Sequence, residues 1–153
     1  MVLNCTVLDN RLGKATDQNG VDYGGGVQAA NASAVVRNCI IDGNLNVVGA
    51  ETNYFGNAAS FSYCLSSDAA PVGSEGCVVG RPVFLANDPL YLAKHTPGKG
   101  QGSVAGYEDR LLAATDFFGQ PRVKFVSRKG IADIDIGATE SKYFPNGLFI
   151  FVR

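Results

Sequence analysis

"VLNCTVLDN" at residues 2–10 returns as "VVRNCIIDGN" at residues 35–44. In register, Asn4 falls on Asn38, Cys5 on Cys39, Val7 on Ile41 and Asn10 on Asn44, all at one constant offset. Each copy is a short β-rich run that ends in Asp, Gly or Asn, the residues that turn a chain. A strand-plus-turn unit repeated at a fixed offset of about 20–50 residues predicts a solenoid. A third, weaker copy, "NYFGNAASFSYCLSSD", spans residues 53–68 and places Cys64 one shorter step after Cys39. Between the first two copies, Gly24, Gly25 and Gly26 permit a sharp corner. "GVQAANASAVVRN" then reads as two short strands split by a polar corner.

Stacked copies place equivalent side chains over one another, about 4.8 Å apart. Side chains alternate along a strand, so Cys5 shares a face with Val7, and Cys39 with Ile41. The expectation is that Cys5, Cys39 and Cys64 form an inward thiol ladder, because Cys is small and usually buried. Asn10 and Asn44 fit a turn where one side-chain amide bonds its equivalent in the next copy. A Cys64–Cys77 disulfide is the alternative reading, and a secreted setting favours it. The four cysteines contain no CxxC pair and His95 is the only histidine, which argues against a zinc ribbon or a multi-His metal site.

The 153 residues are 46% hydrophobic and 18% charged, with 19 glycines. Charged residues fall below the usual ~25% and glycine lies above the usual ~7%, which favours a β-protein with tight turns. The net charge is −1 and the 13 Lys and Arg are scattered, so no basic stripe points to nucleic acid. No apolar run approaches the ~20 residues that span a membrane.

After residue 80 the repeat stops and proline and glycine mark the joints between short apolar runs. A solenoid end exposes an unpaired edge and needs a cover. The chain is therefore read as all-β: stacked coils over residues 1–80 and an irregular C-terminal cap over 81–153, packed as one unit.

"GGGVQAANASAVVRNCIIDGN" resembles a repeat of the right-handed parallel β-helix superfamily that includes the pectate-lyase-like proteins. The later half resembles the C-terminal region of bacterial surface β-helix proteins called choice-of-anchor Q domain proteins. The matching runs are "RPVF" (81–84), "HTPGKGQG" (95–102), "DFFGQPR" (116–122) and "DIGATE" (135–140). Arg81 stands where that pattern has Asp, Thr96 where Ser is common, and Thr139 where an aromatic is usual. The resemblance implies a right-handed parallel β-helix and no particular reaction.

Asp116, Arg122, Asp133, Asp135 and Glu140 are the candidate binding residues, for a carbohydrate or a cation. The competing reading is structural: Arg122 pairs with a carboxylate and fixes the cap, since a guanidinium fork suits a rigid joint. Calcium is the candidate cation. Asp9, Asp17, Asp22 and Asp42 could supply oxygens, but no Asp-x-Asp-x-Asp-Gly loop exists, so they read as solvated turn acids. Asp133 and Asp135 in "DIDIG" would share one strand face. No catalytic residue is assigned. His95 reads as an exposed turn residue, Ser66, Ser67 and Asp68 lack a nucleophile elbow, and the glycine run lacks a following Gly-Lys-Ser/Thr. Tyr54, Phe55, Tyr63, Tyr107, Phe117 and Phe118 are candidates for stacking on sugar rings.

These readings give a structural, adhesive or carbohydrate-binding scaffold, with polysaccharide as the expected partner. It would be extracellular or on a bacterial cell surface, with a signal peptide expected upstream. The alternative is the C-terminal part of a polysaccharide lyase or glycoside hydrolase whose active site lies on coils upstream. A third reading is a self-associating module, because an open strand edge is adhesive.

Overall fold

The computed structural model describes residues 1–13, 25–68, 74–105, 115–126 and 131–141. These residues form short strands and one 3-10 turn, with no α-helix, so the fold is all-β. No helix among the described residues is long and apolar enough to cross a membrane.

The first pass of the chain contributes β1 (Val2–Leu3) and β2 (Thr6–Leu8). The second contributes β3 (Val27–Ala29), β4 (Val36–Arg37) and β5 (Ile40–Asp42). The third repeats that order as β6 (Tyr54–Gly56), β7 (Phe61–Ser62) and β8 (Leu65–Ser66). A fourth adds β9 (Val78–Val79). Every pairing among these strands is parallel, in three sheets ordered β1-β4-β7, β2-β5-β8-β9 and β3-β6. Val2 meets Val36 and Thr6 meets Ile40, each at the offset that carries Cys5 onto Cys39. Val36 meets Phe61 and Ile40 meets Leu65, at the shorter offset that carries Cys39 onto Cys64. Val7 and Ile41, aligned by the repeat, are register partners.

One corner recurs in every pass. Asn4, Asn38 and Tyr63 carry φ of 51°, 54° and 50°, and Gly76 carries 63°. Each precedes a cysteine: Cys5, Cys39, Cys64 and Cys77. The left-handed region is tolerated by Asn and Gly and costs a residue such as Tyr more. At Gly76 the choice is also steric, because a Cβ there would lie 2.4 Å from the ring of Tyr63. The cysteine ladder thus has a fourth rung, Cys77, and all four cysteines are free thiols.

Behind the corners lies the interior. Val36, Cys39, Ile41, Phe61, Cys64 and Ala29 are buried together, with Val2, Cys5, Val7 and Cys77 packed against them. Tyr54 belongs here, its ring 5.2 Å from that of Phe61. The amide ladder is present as well. Asn44 Oδ1 accepts from the Asn10 backbone N–H at 3.1 Å and from Asn10 Nδ2 at 2.8 Å. Asn44 Nδ2 donates to Val7 O at 3.0 Å and to Asp42 O at 3.1 Å. Asn53 extends the ladder by accepting from Asn44 N at 2.9 Å.

The other face of the β2-β5-β8-β9 sheet is apolar too. Ile40 and Leu65 are buried on it with Leu92 and Ile136, flanked by Leu8, Val78 and Phe84. Parallel sheets are commonly covered on both faces, and here the cover is the segment after residue 80. It holds two antiparallel pairs, β10 (Phe84–Leu85) with β11 (Asp88–Leu92) and β12 (Lys124–Val126) with β13 (Ile131–Asp133). An irregular run from Ile134 to Ser141 lies against the stacked passes. Gly137, at φ 110°, sits so close that a Cβ would fall 2.7 Å from Ile40 and 2.9 Å from the Thr6 hydroxyl. The backbone of this run docks through Gly137 N to Asn38 O at 2.9 Å and Ala138 N to Thr6 Oγ1 at 2.9 Å.

Asp42 departs from the expectation of a solvated turn acid. It is buried, its Oδ1 accepts from Ser67 N at 2.9 Å, and Arg81 lies 3.5 Å from its Oδ2. The strand buries Asp42 because the next pass and Arg81 supply its partners. Arg81 also pairs with Glu51. The Ser67 hydroxyl, then Asn53, Arg81 and the Gly43 amide hold the Glu51 carboxyl down at about 2, against the opposing effect of burial. Asp9 is exposed, and Asp17 and Asp22 lie outside the described residues.

Candidate functional site

Two segments of the cap meet at Arg122. "DFFGQPR" makes a tight loop: Asp116 N donates to Gln120 O at 2.7 Å, and Gly119 at φ 78° completes the turn. Asp116 Oδ1 accepts from Phe118 N at 2.9 Å and Gln120 N at 2.8 Å, which closes the loop on itself. Pro121 fixes the exit, and Arg122 enters the protein with 2% exposure.

"DIGATE" wraps this guanidinium. Arg122 Nη2 donates to Gly137 O at 2.7 Å and Asp135 O at 3.1 Å, and lies 3.3 Å from Glu140 Oε1. Burial pushes the Arg122 pKa down, while Glu140, Asp116 and Asp135 oppose that shift. The acids are themselves tied to backbone. Asp116 Oδ2 accepts from Glu140 N at 3.0 Å. Asp135 accepts from Gly100 N at 2.7 Å and Ser141 N at 2.6 Å. Both Glu140 oxygens face Asp135 N, at 3.3 and 3.1 Å.

The structure therefore brings Asp116, Arg122, Asp135 and Glu140 into one buried knot. Asp135 is 4% exposed and both its oxygens accept backbone N–H groups, so it is held inside the knot rather than solvated. Asp133 stands apart, at the end of β13 opposite Lys124, and its side chain is outside the described residues. Among the described residues no cluster of three or more His, Cys, Asp or Glu is arranged to hold a metal ion. His95 is exposed.

A cleft of about 530 Å³ opens beside the knot, between the first pass and the cap. Leu3, Asn4, Cys5 and Thr6 form one wall; Thr115, Asp116, Phe117, Arg122 and Ala138 form the other. A second concavity of about 340 Å³ shares Thr6, Phe117 and Ala138 with it and continues along Leu8, Phe84, Pro89, Leu90 and Thr139. Phe117 stands where the two meet, 74% exposed. It lies edge-on to Phe118 at 5.2 Å, and Phe118 stacks on Tyr91 at 4.8 Å. The ring is thus braced from below and open above.

Two polar atoms of the cleft residues are buried without a hydrogen-bond partner in the protein, Asn4 Oδ1 and Arg122 Nε. Such groups cost about 1–3 kcal/mol each unless a ligand or water satisfies them. Asn38, the equivalent of Asn4 one pass later, is fully paired: it accepts from Ser103 N at 2.8 Å and donates to Ser103 O at 2.9 Å. The cap occupies that corner and leaves Asn4 to the cleft. Reading the sequence alone misses Asn4 as a site residue, because its copy of the motif is the same as the one that is purely structural.

Of the other aromatic candidates, Tyr54 is packed into the interior and Tyr63 donates its hydroxyl to Glu75 at 2.9 Å. Phe55 is 37% exposed on the β3-β6 sheet, and Tyr107 lies outside the described residues. Comparison of the chain with protein-family models, with curated proteins and with solved structures gives no match.

Proposed function

We propose that this chain is part of a right-handed parallel β-helix of the pectate-lyase-like kind, closed by a cap like that of choice-of-anchor Q domain proteins. Its role is that of a secreted or cell-surface scaffold that binds carbohydrate. The solenoid reading is supported by three parallel sheets whose strands recur in the same order from pass to pass. The right hand follows from the chirality that crossover connections between parallel strands nearly always take.

The single observation that carries the binding reading is Phe117. An aromatic ring 74% exposed, braced by Phe118 and set between two concavities, is a platform for the apolar face of a sugar ring. Around it the Asn4 amide and the Thr6 and Thr115 hydroxyls offer the mixed donors and acceptors that sugar hydroxyls need. Binding fits this cleft better than catalysis does. Its acid, Asp116, has both oxygens engaged by backbone N–H groups, so it is not poised for proton transfer.

The test is a binding screen against neutral and acidic polysaccharides, pectin and alginate among them, by calorimetry and affinity electrophoresis. Phe117→Ala is expected to weaken binding about tenfold or more, a loss of ~1.4 kcal/mol, while the melting temperature stays unchanged. Binding that survives Phe117→Ala intact, or no binding to any polysaccharide, contradicts the reading.

A further inference from the structure

The four cysteines form a column that the carbohydrate reading does not use. Each follows the same left-handed corner, so their side chains stack from pass to pass: Cys5 on Cys39, Cys39 on Cys64, Cys64 on Cys77. Cys39 and Cys64 are buried in the middle, and Cys5 and Cys77 are half-buried at the ends. From the last pair we infer a redox modification site: Cys64 and Cys77 form a disulfide on exposure to a small-molecule disulfide, which ties the third pass to the fourth.

Geometry permits this pair. Leu65 and Val78 are register partners, so Cys64 and Cys77 face each other one step earlier, and Val78 N donates to Cys64 O at 2.8 Å. Facing residues of paired strands lie about 4.8 Å apart, inside the ~4.4–6.8 Å Cα separation that a disulfide spans. Cys64 N donates to Cys77 Sγ at 3.4 Å, so the nucleophilic sulfur is already turned toward its partner's backbone. A small cavity of about 10 Å³ lies between Cys64, Cys77, Phe61 and Tyr54.

Reactivity separates Cys77 from the other end of the column. Hydrogen bonding from Cys64, and secondarily from Ser74 and the backbone, brings the Cys77 thiol down to about 7 against burial. The sulfur of Cys39 and burial act together to push the Cys5 thiol up. The thiolate is the attacking species, so the half-exposed Cys77 reacts first.

The exchange balances with oxidised glutathione. Cys77 thiolate attacks one glutathione sulfur, the glutathione S–S bond breaks, and one glutathione thiolate leaves. Cys64, whose thiol Cys39, Cys77 and burial push up, gives up its proton as its sulfur attacks the Cys77 sulfur of the mixed disulfide. The second glutathione leaves and takes up the Cys64 proton. Two protein thiols are oxidised and one glutathione disulfide is reduced to two thiols.

Incubation of the reduced full chain with oxidised glutathione tests this, read by intact mass and by mapping after cleavage at Glu51 and Glu75. Those cuts put Cys64 and Cys77 on separate peptides, and Cys5 and Cys39 together on another. The expected product has lost two hydrogens and joins the Cys64 and Cys77 peptides. Its melting temperature should rise by on the order of 5–10 °C, from a closed loop of this length. Cys5→Ser should form the same link, and Cys77→Ser should not. No loss of mass, a Cys5–Cys39 link, a Cys39–Cys64 link, or a disulfide between two chains would each overturn the inference.

Discussion

Arg122→Ala is expected to destabilise the protein by about 3–5 kcal/mol, the cost of removing one partner of a buried ion pair. In a domain of this size that lowers the melting temperature by on the order of 10 °C. The cause is local. Arg122 Nη2 serves the Gly137 carbonyl, the Asp135 carbonyl and Glu140 at once, and Glu140 is 2% exposed. Without the guanidinium the buried Glu140 carboxylate loses the charge of Arg122 at 3.3 Å, and the Ile134–Ser141 run loses its side-chain attachment to "DFFGQPR" through Arg122. Arg122→Lys should recover part of the loss, because a lysine restores the charge on a side chain of different length and donor geometry. Thermal denaturation of the two variants beside the parent protein checks this. Equal stability of Arg122→Ala and the parent would show that the knot does not hold the cap.

Asn44→Ala is expected to cost about 1–3 kcal/mol, because its truncation takes the Nδ2 donor from the Val7 carbonyl and the Asn53 side-chain oxygen and takes the acceptor from Asn10. Asn44 has no exposure, and its amide spans two passes, accepting from Asn10 and donating to Val7 O and Asp42 O. Asn44→Asp separates shape from donor chemistry. It keeps the acceptor toward Asn10 but loses the Nδ2 donations, so it should also destabilise. Chemical denaturation measures both, and an Asn44→Asp protein as stable as the parent would contradict the role given to the Nδ2 donors.

Much of this scaffold was legible in the residues. The "NC" alignment carries the register of the first two passes, because copies that stack must repeat their inward and turn positions. Asn10 and Asn44 were legible for the same reason, and Arg122 because an arginine between a Gly–Pro turn and an acidic strand needs a partner. The fourth rung was harder. Gly76-Cys77 follows Tyr63-Cys64 after a much shorter stretch than separates the earlier copies, and its strand, Val78–Val79, is too short to show a pattern. Asp42 looked solvated because its partners, Ser67 and Arg81, arrive from later passes of the chain. The cleft was the least legible feature. Asn4 and Phe117 come to line one cleft only through the docking of the cap on the first pass, and nothing local to either residue encodes that juxtaposition.

The proposed β-helix rests on parallel stacking, and nuclear Overhauser contacts between backbone protons measure it directly. Parallel stacking predicts Hα-to-amide contacts that link Thr6 with Ile40, Ile40 with Leu65 and Leu65 with Val78 in consistent register. Strong Hα-to-Hα contacts between facing residues of these strands, the mark of an antiparallel ladder, would contradict it.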